Sequence, residues 1–360
     1  MTIGGAQQVI RQLVENMDES EIHSEIVCID NKLGELGEIL QERGVKVHLL
    51  NRQPGFDFSL VKQLNHLIKT QRYDIIHCHQ YSPYVYGLLG SILRSVKVIF
   101  TEHGRFYPDY GTWKRKLINP LLSIFTTRIT AISEATKNAL VRYENFRRDD
   151  IAVIPNGITD NSKIIINVSA LKKEFEIPEN VFIFGTISRL QPIKNQQMMI
   201  QAFKQVHDKI INTHLLIVGD GEIKHELEAL SKKLNVSQSI TFTGFQKDPY
   251  RFHKIIDIFL LSSFSEGASM SLLEAMSFST PCVVTNVGGN TELIHQNKNG
   301  LVSTSDDMHS FSENMLKLIE SDGLKLKLGK KSRDVYLARF TVKGMVENYL
   351  SIYLDLKKIK

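Results

Sequence analysis

The sequence has no apolar run approaching the roughly 18–20 residues that a membrane-spanning helix needs. It also lacks the basic, apolar and small-residue succession of a secretory leader, so the cytosol is the expected compartment, with peripheral attachment to the inner face of a membrane as the alternative. Cysteine is scarce. Cys28, Cys78 and Cys282 all sit in strand-like runs, and an odd count in such settings excludes a disulfide framework and reads as reduced, buried thiols. Internal repeats and low-complexity segments are missing, as is any local Ser-His-Asp or Cys-His nucleophile arrangement. The segment His77-Cys78-His79 is the one hint of metal, but strand alternation puts Cys78 on the opposite face from both histidines. With no third ligand near in sequence, no metal is expected there.

What is present is a chain of 360 residues, 42% apolar and 23% charged, long enough for two domains. The net charge of +5 is unevenly placed. Residues 94–148 carry 11 basic against 4 acidic side chains, whereas residues 1–93 carry 8 against 11. Such a basic region fits an anionic partner (a membrane surface, a phospholipid or a nucleic acid) or a solvated surface. No nucleic-acid-binding module is recognisable, which sets the nucleic acid aside.

Short β-branched runs alternate with helical periodicity along the chain. Strands are expected at Glu25–Ile29, Val45–Leu50, Asp74–Cys78, Val96–Thr101, Arg128–Ile132 and Ile151–Ile154, then at Val181–Ile187, Leu215–Val218, Ile240–Thr243, Asp257–Leu261 and Pro281–Thr285. This alternation predicts an α/β protein with parallel sheets covered by helices. The turn signal Pro155-Asn156-Gly157 and the less periodic stretch after it place a domain boundary near residue 160. Two doubly wound domains are expected to face each other across a cleft, with ligands at the carboxyl ends of their strands.

The strongest local signal is SEGASMSLLEAMS (265–277), in which Glu266 and Glu274 bracket seven residues. Glu266 falls on a strand-to-helix turn and Glu274 in the first turns of the helix. The amides opening that helix favour an anion such as a phosphate. Two carboxylates would repel a phosphate, but they suit hydroxyls on either side of it, as the sugar and ribose of a nucleotide sugar offer. Arg189 and Lys194, in SRLQPIKN (188–195), are two cations on one loop that can converge on a diphosphate. No Asp-x-Asp pair occurs, which removes the commonest way of holding such a ligand through a divalent cation and leaves those two bases to neutralise it. Gly4-Gly5-Ala6 precedes a helical run and lets amides approach a ligand closely. Gly219-Asp220-Gly221 and Gly244 follow strands as tight turns, and His103 ends another strand.

In order and spacing, PNGI (155–158), SRLQPIKN, GDGE (219–222), SEGASMSLLEAMS and VGGNTELI (287–294) resemble the retaining glycosyltransferases of family four, which have the GT-B fold. The resemblance covers nearly the whole chain. It implies an acceptor-side domain at 1–160 and a nucleotide-sugar-binding domain at 161–360, with the last helix, 342–360, crossing back to the first. It further implies that Arg189 and Lys194 bind the donor diphosphate, that Glu274 holds the ribose and that Glu266 holds hydroxyls of the transferred sugar. Backbone amides from Gly267 to Leu272, including Met270 and Ser271, would contact sugar and phosphate. Gly5 would face the diphosphate, His103 the sugar, and the backbone at Gly244 the base. Retention is explained in this family by front-face attack, the leaving phosphate taking the acceptor's proton.

The chain departs from the family pattern at Ala268 and Ser269, where an aromatic or aliphatic residue and then proline are usual, and at Gln7, where Glu is frequent. Family members also carry an apolar strand before the glycine loop. Only Met1, Thr2 and Ile3 precede Gly4, so the first strand of the N-terminal domain is expected about a dozen residues' length upstream of this start. The expected activity is metal- and cofactor-independent transfer from a nucleotide sugar, UDP-linked in preference and GDP-linked as the alternative, to a surface glycan or its lipid-linked precursor. Phe106, Tyr107, Trp113, Lys114, Arg115 and Lys116 mix aromatic and basic types suited to an anionic membrane surface, or form an ordinary packed helix. A sugar phosphorylase, a nucleotide-sugar epimerase or a non-catalytic binding protein on the same fold are the alternatives.

Overall fold

A computed structural model describes residues 4–104 and 111–358. The chain forms two compact units, residues 1–159 with 341–360, and residues 160–340.

In the first unit, strands β1 (Ile26–Cys28) and β2 (Val47–Leu49) form a parallel pair. Strands β3 (Ile75–His79), β4 (Lys97–Glu102), β5 (Arg128–Ala131) and β6 (Ile151–Val153) form a separate four-stranded parallel sheet in that order. Helices α1 (Gly5–Asn16), α2 (Glu35–Glu42), α3 (Phe58–Gln71), α4 (Tyr81–Ser91), α5 (Trp113–Ile124) and α6 (Glu134–Glu144) fill the connections. Among the described residues no strand precedes α1. The core centres on β4, buried from Val98 onward, with Tyr84 stacked on Phe100 at 4.2 Å. Cys78 is buried as expected, but Cys28 is only half-buried, because its short two-stranded ladder gives it cover on fewer sides.

The second unit has one six-stranded parallel sheet. Its strands are β7 (Phe182–Ile187), β8 (Thr213–Val218), β9 (Ile240–Phe242), β10 (Ile258–Leu261), β11 (Cys282–Thr285) and β12 (Leu301–Ser303), in the order β12-β11-β10-β7-β8-β9. Sequence reasoning missed β12, whose apolar run is only Leu301-Val302 and is followed by Ser303-Thr304-Ser305. Helices α7 (Val168–Glu174), α8 (Gln196–His207), α9 (Lys224–Lys233), α10 (Met270–Ser277), α11 (Asn290–Leu293), α12 (Met308–Ile319) and α13 (Asp322–Arg339) complete it. All six residues of β8 and all four of β10 are buried, the continuous apolar run of a sheet covered on both faces. Each large side chain so buried contributes about 1.5–3 kcal/mol.

The last helix, α14 (Val342–Lys358), packs on α1 of the first unit. Its entry is stitched to the Pro155-Asn156-Gly157 turn. Ile158 bridges Thr341, Val342 N–H donates to the Ile158 carbonyl (2.9 Å), and a side chain at Gly157 would strike the Thr341 carbonyl.

Candidate functional site

In the second unit, loops at the carboxyl ends of β7 and β10 carry the expected donor residues. The β7 loop continues through a short 3₁₀ turn, Pro192–Lys194, into α8. Ser262, just past β10, donates to the carbonyls of Lys194 and Asn195, both at 2.9 Å, and Phe264 N–H donates to the Ile193 carbonyl. This stitching brings Lys194 onto Glu266, Nζ to Oε1 2.7 Å, with the Ser263 hydroxyl donating to the same oxygen at 2.6 Å. Arg189 is fixed only through its backbone, where buried Gln196 donates to its carbonyl (2.9 Å). Its exposed guanidinium has no ion-pair partner among the described residues.

Two glycine loops support these two loops from behind. Gly288, at φ +47°, lies so close to the Glu266 carbonyl that a Cβ would collide with it, and the next amide, Gly289 N–H, donates to that carbonyl at 3.0 Å. Gly219, at φ +138°, lies equally close to the Ser188 carbonyl, and Leu190 N–H donates to the Asp220 carbonyl at 2.9 Å. Each loop that carries one of the expected donor residues is therefore held by a neighbour with no side chain in the way. Gly244, at φ +68°, accepts from Gly219 N–H, and a Cβ there would meet Lys224 Nζ at 3.9 Å, an ordinary contact.

Helix α10 starts from Ser269, whose hydroxyl accepts from Leu272 N–H at 3.3 Å. Ser269 has φ −74°, within the range a proline would impose, so this departure keeps the backbone and adds a cap. Ser269 already engages the amide of buried Leu272, while those of Met270 and Ser271 lie in the first turn, whose N–H groups lack intrahelical partners. Gly267 and Glu266 lie on the turn before it. Glu274, in the middle of α10, has His253 beside its carboxylate rather than Lys194. His253 Nε2 lies 3.6 Å from Glu274 Oε2, and sequence reasoning missed it because a single histidine in a 3₁₀ turn shows no pattern.

In the first unit, Gly5 opens α1 and is exposed. His103 follows β4, its Nε2 2.8 Å from His79 Nδ1. The His79 ring lies tilted against His77 at 4.0 Å between centroids, and His77 bonds Tyr353 of α14 (2.6 Å) and Thr101 (2.6 Å). Burial pushes His103 down to about 4. Burial, and secondarily the charge of His103, pushes His77 down to about 3. At neutral pH these rings are uncharged and bond as donors and acceptors. Among the described residues no group of three or more His, Cys, Asp or Glu is placed to hold a metal. Phe106 and Tyr107 lie outside the described residues.

The second unit thus offers two cations, a helix start and two carboxylates along neighbouring strand ends, an arrangement able to hold a diphosphate and to accept from hydroxyls. Residues 167–335 match the family model described as glycosyl transferases group 1, and residues 3–162 match that of glycosyltransferase family 4. An Escherichia coli relative, UDP-Gal:alpha-D-GlcNAc-diphosphoundecaprenol alpha-1,3-galactosyltransferase, is 27% identical over 98% of this chain and 94% of its own. Among solved structures, a glycosyltransferase from Rickettsia africae has a TM-score of 0.88 at 19% identity, covering 100% of this chain and 97% of that one. Anabaena HepE in complex with UDP has a TM-score of 0.86 at 20% identity, covering 98% and 96%. The fold is GT-B, with two Rossmann-like units.

Proposed function

We propose that this chain, which belongs to the family-4-like glycosyltransferases, moves a sugar from a UDP-linked donor to a lipid-linked glycan precursor at an anionic membrane surface. Transfer proceeds with retention and without a divalent metal. The observation that carries the reading is the Lys194–Glu266 pair beside the start of α10. A diphosphate arriving there takes Lys194, Arg189 and the amides from Gly267 to Ser271 as its partners. Glu266 then accepts from hydroxyls of the transferred sugar, and Glu274 from those of the ribose. His103 contacts the sugar, Gly5 the diphosphate and the Gly244 backbone the base.

As the bond between the anomeric carbon and the phosphate oxygen breaks, the electron pair stays on the diphosphate, and Arg189 and Lys194 stabilise that charge. The acceptor hydroxyl bonds the same face of the anomeric carbon, and its proton passes to the departing phosphate oxygen. The E. coli relative's name supports a UDP donor and a lipid diphosphate acceptor, and HepE has been solved with both UDP and UDP-glucose. No helix of the described residues is long and apolar enough to cross a membrane, so the membrane contact proposed is peripheral.

Calorimetric titration with UDP and GDP in the presence of EDTA tests this. UDP is expected to bind, with Arg189→Ala and Glu274→Ala each weakening it about 10–100-fold, the usual worth of hydrogen bonds involving charged groups. A preference for GDP would reassign the donor. Loss of binding on adding EDTA would overturn metal independence.

A further inference from the structure

Helix α5 packs the wrong way round for a helix of a water-soluble protein. Its one fully buried residue is polar: Asn119 donates to the Glu144 carbonyl and carboxylate (both 2.9 Å) and accepts from Tyr81 Oη (2.7 Å). Arg115, half-exposed, reaches back to the body, bonding Glu144 at 3.0 Å with its guanidinium 4.1 Å from the centre of the Tyr81 ring. Pro120 leaves the Lys116 carbonyl without its intrahelical donor, and Asn145 supplies one at 2.9 Å. The face so turned outward is apolar. Trp113, Leu117, Ile118, Leu121, Ile124 and Phe125 are between 48% and 74% exposed.

A soluble helix does the reverse, and an apolar patch of this extent marks an interaction surface. We propose that this face of α5 is a docking surface for an anionic lipid bilayer. The helix contains no Asp or Glu. Exposed Lys114 and Lys116 lie at the N-terminal end of the apolar stripe, and neither is in an ion pair among the described residues. The segment around it carries the chain's cationic surplus, 11 basic to 4 acidic over residues 94–148. Apolar side chains entering the headgroup boundary, with cations beside them and a tryptophan at one end, are the chemistry of a helix lying in a membrane interface. A second copy of this chain fits less well, because a two-fold contact would set the same lysines against each other with no acid on the helix to meet them. The inference deepens the proposed reaction, whose lipid-linked acceptor resides in such a surface.

The test uses the full chain with vesicles of phosphatidylcholine alone and of phosphatidylcholine mixed with phosphatidylglycerol. Trp113 is the only tryptophan, so its emission reports the contact directly. Binding and a blue shift are expected with the anionic vesicles. Lys114→Gln and Lys116→Gln should each weaken partitioning about fivefold, and salt should do the same. Leu121→Asn combined with Ile124→Asn should weaken it about tenfold or more at unchanged circular dichroism. Absence of binding, equal binding to neutral vesicles, or a dimer in sedimentation velocity that the Leu121/Ile124 variant dissociates while vesicle binding persists would each overturn it. UDP titration of the same variants should be unchanged. A wild-type chain that floats with vesicles yet binds no UDP sinks the donor reading and leaves the docking surface standing.

Discussion

Glu266 has little water around it. Its side chain is 8% exposed, and Lys194 and Ser263 share one of its oxygens. Removing either partner of such a pair leaves a charge without compensation, a larger loss than the pair itself is worth. Glu274 has a quieter support in His253, which is 3% exposed, stacked on Phe278 (5.2 Å) and tilted against Phe259 (5.6 Å). Neither of its ring nitrogens finds a hydrogen-bond partner, so the orphaned donor at 3.6 Å is poised toward the Glu274 carboxylate. His253→Phe keeps the ring contacts and removes that donor. It should lower affinity for UDP about 3–10-fold while leaving 2′,3′-dideoxy-UDP little changed, as calorimetry with both ligands would read. An equal loss for both ligands would mean a packing role only. The two glutamates were legible because their spacing brackets a recognisable turn. His253 was not, since it acts through a residue 21 positions away in sequence.

At the scale of elements, 11 of the 12 strands were legible, because buried parallel strands read as short apolar runs. Helix α5 was only half legible. Its aromatic and basic residues marked it as unusual, but periodicity cannot say which side of a helix meets the core, and Arg115 turned out to pair with buried Glu144 while Leu117 and Leu121 stay exposed. The glycine loops were read as tight turns, and the structure adds what the turns accomplish. Gly288→Ala combines a positive φ with a collision against the Glu266 carbonyl. It should cost about 1–3 kcal/mol in urea unfolding and shift Glu266 off its ligands, so that kcat falls with the stability. An unaltered kcat would show that the loop bears no load for the site.

The whole molecule should be sensitive to acid. His77 and His103 in the first unit and His214 in the second are held neutral by burial, at about 3, about 4 and about 4. Below the ordinary histidine value of about 6.5 the unfolded chain takes up protons that the folded chain refuses, so stability is complete above that pH and declines as pH falls toward 4. Each histidine contributes a slope of up to about 1.4 kcal/mol per pH unit in that window. Urea midpoints from pH 7 to pH 5 should therefore fall, and hydrogen exchange should show the first unit loosening first. A midpoint independent of pH would contradict the neutral assignment.

The chain leaves the first unit after Thr159 and returns at Thr341, and a backbone hydrogen bond holds Val342 against Ile158. Residues 160–340 are therefore a looped-out cassette whose two splice points touch. Recombination that swaps this one continuous stretch would exchange the proposed donor-binding residues while α5, the histidine cluster and α14 stayed on their own scaffold. On the proposed reading, a new sugar specificity can then arise in this architecture by a single double crossover, with the first unit left as it is.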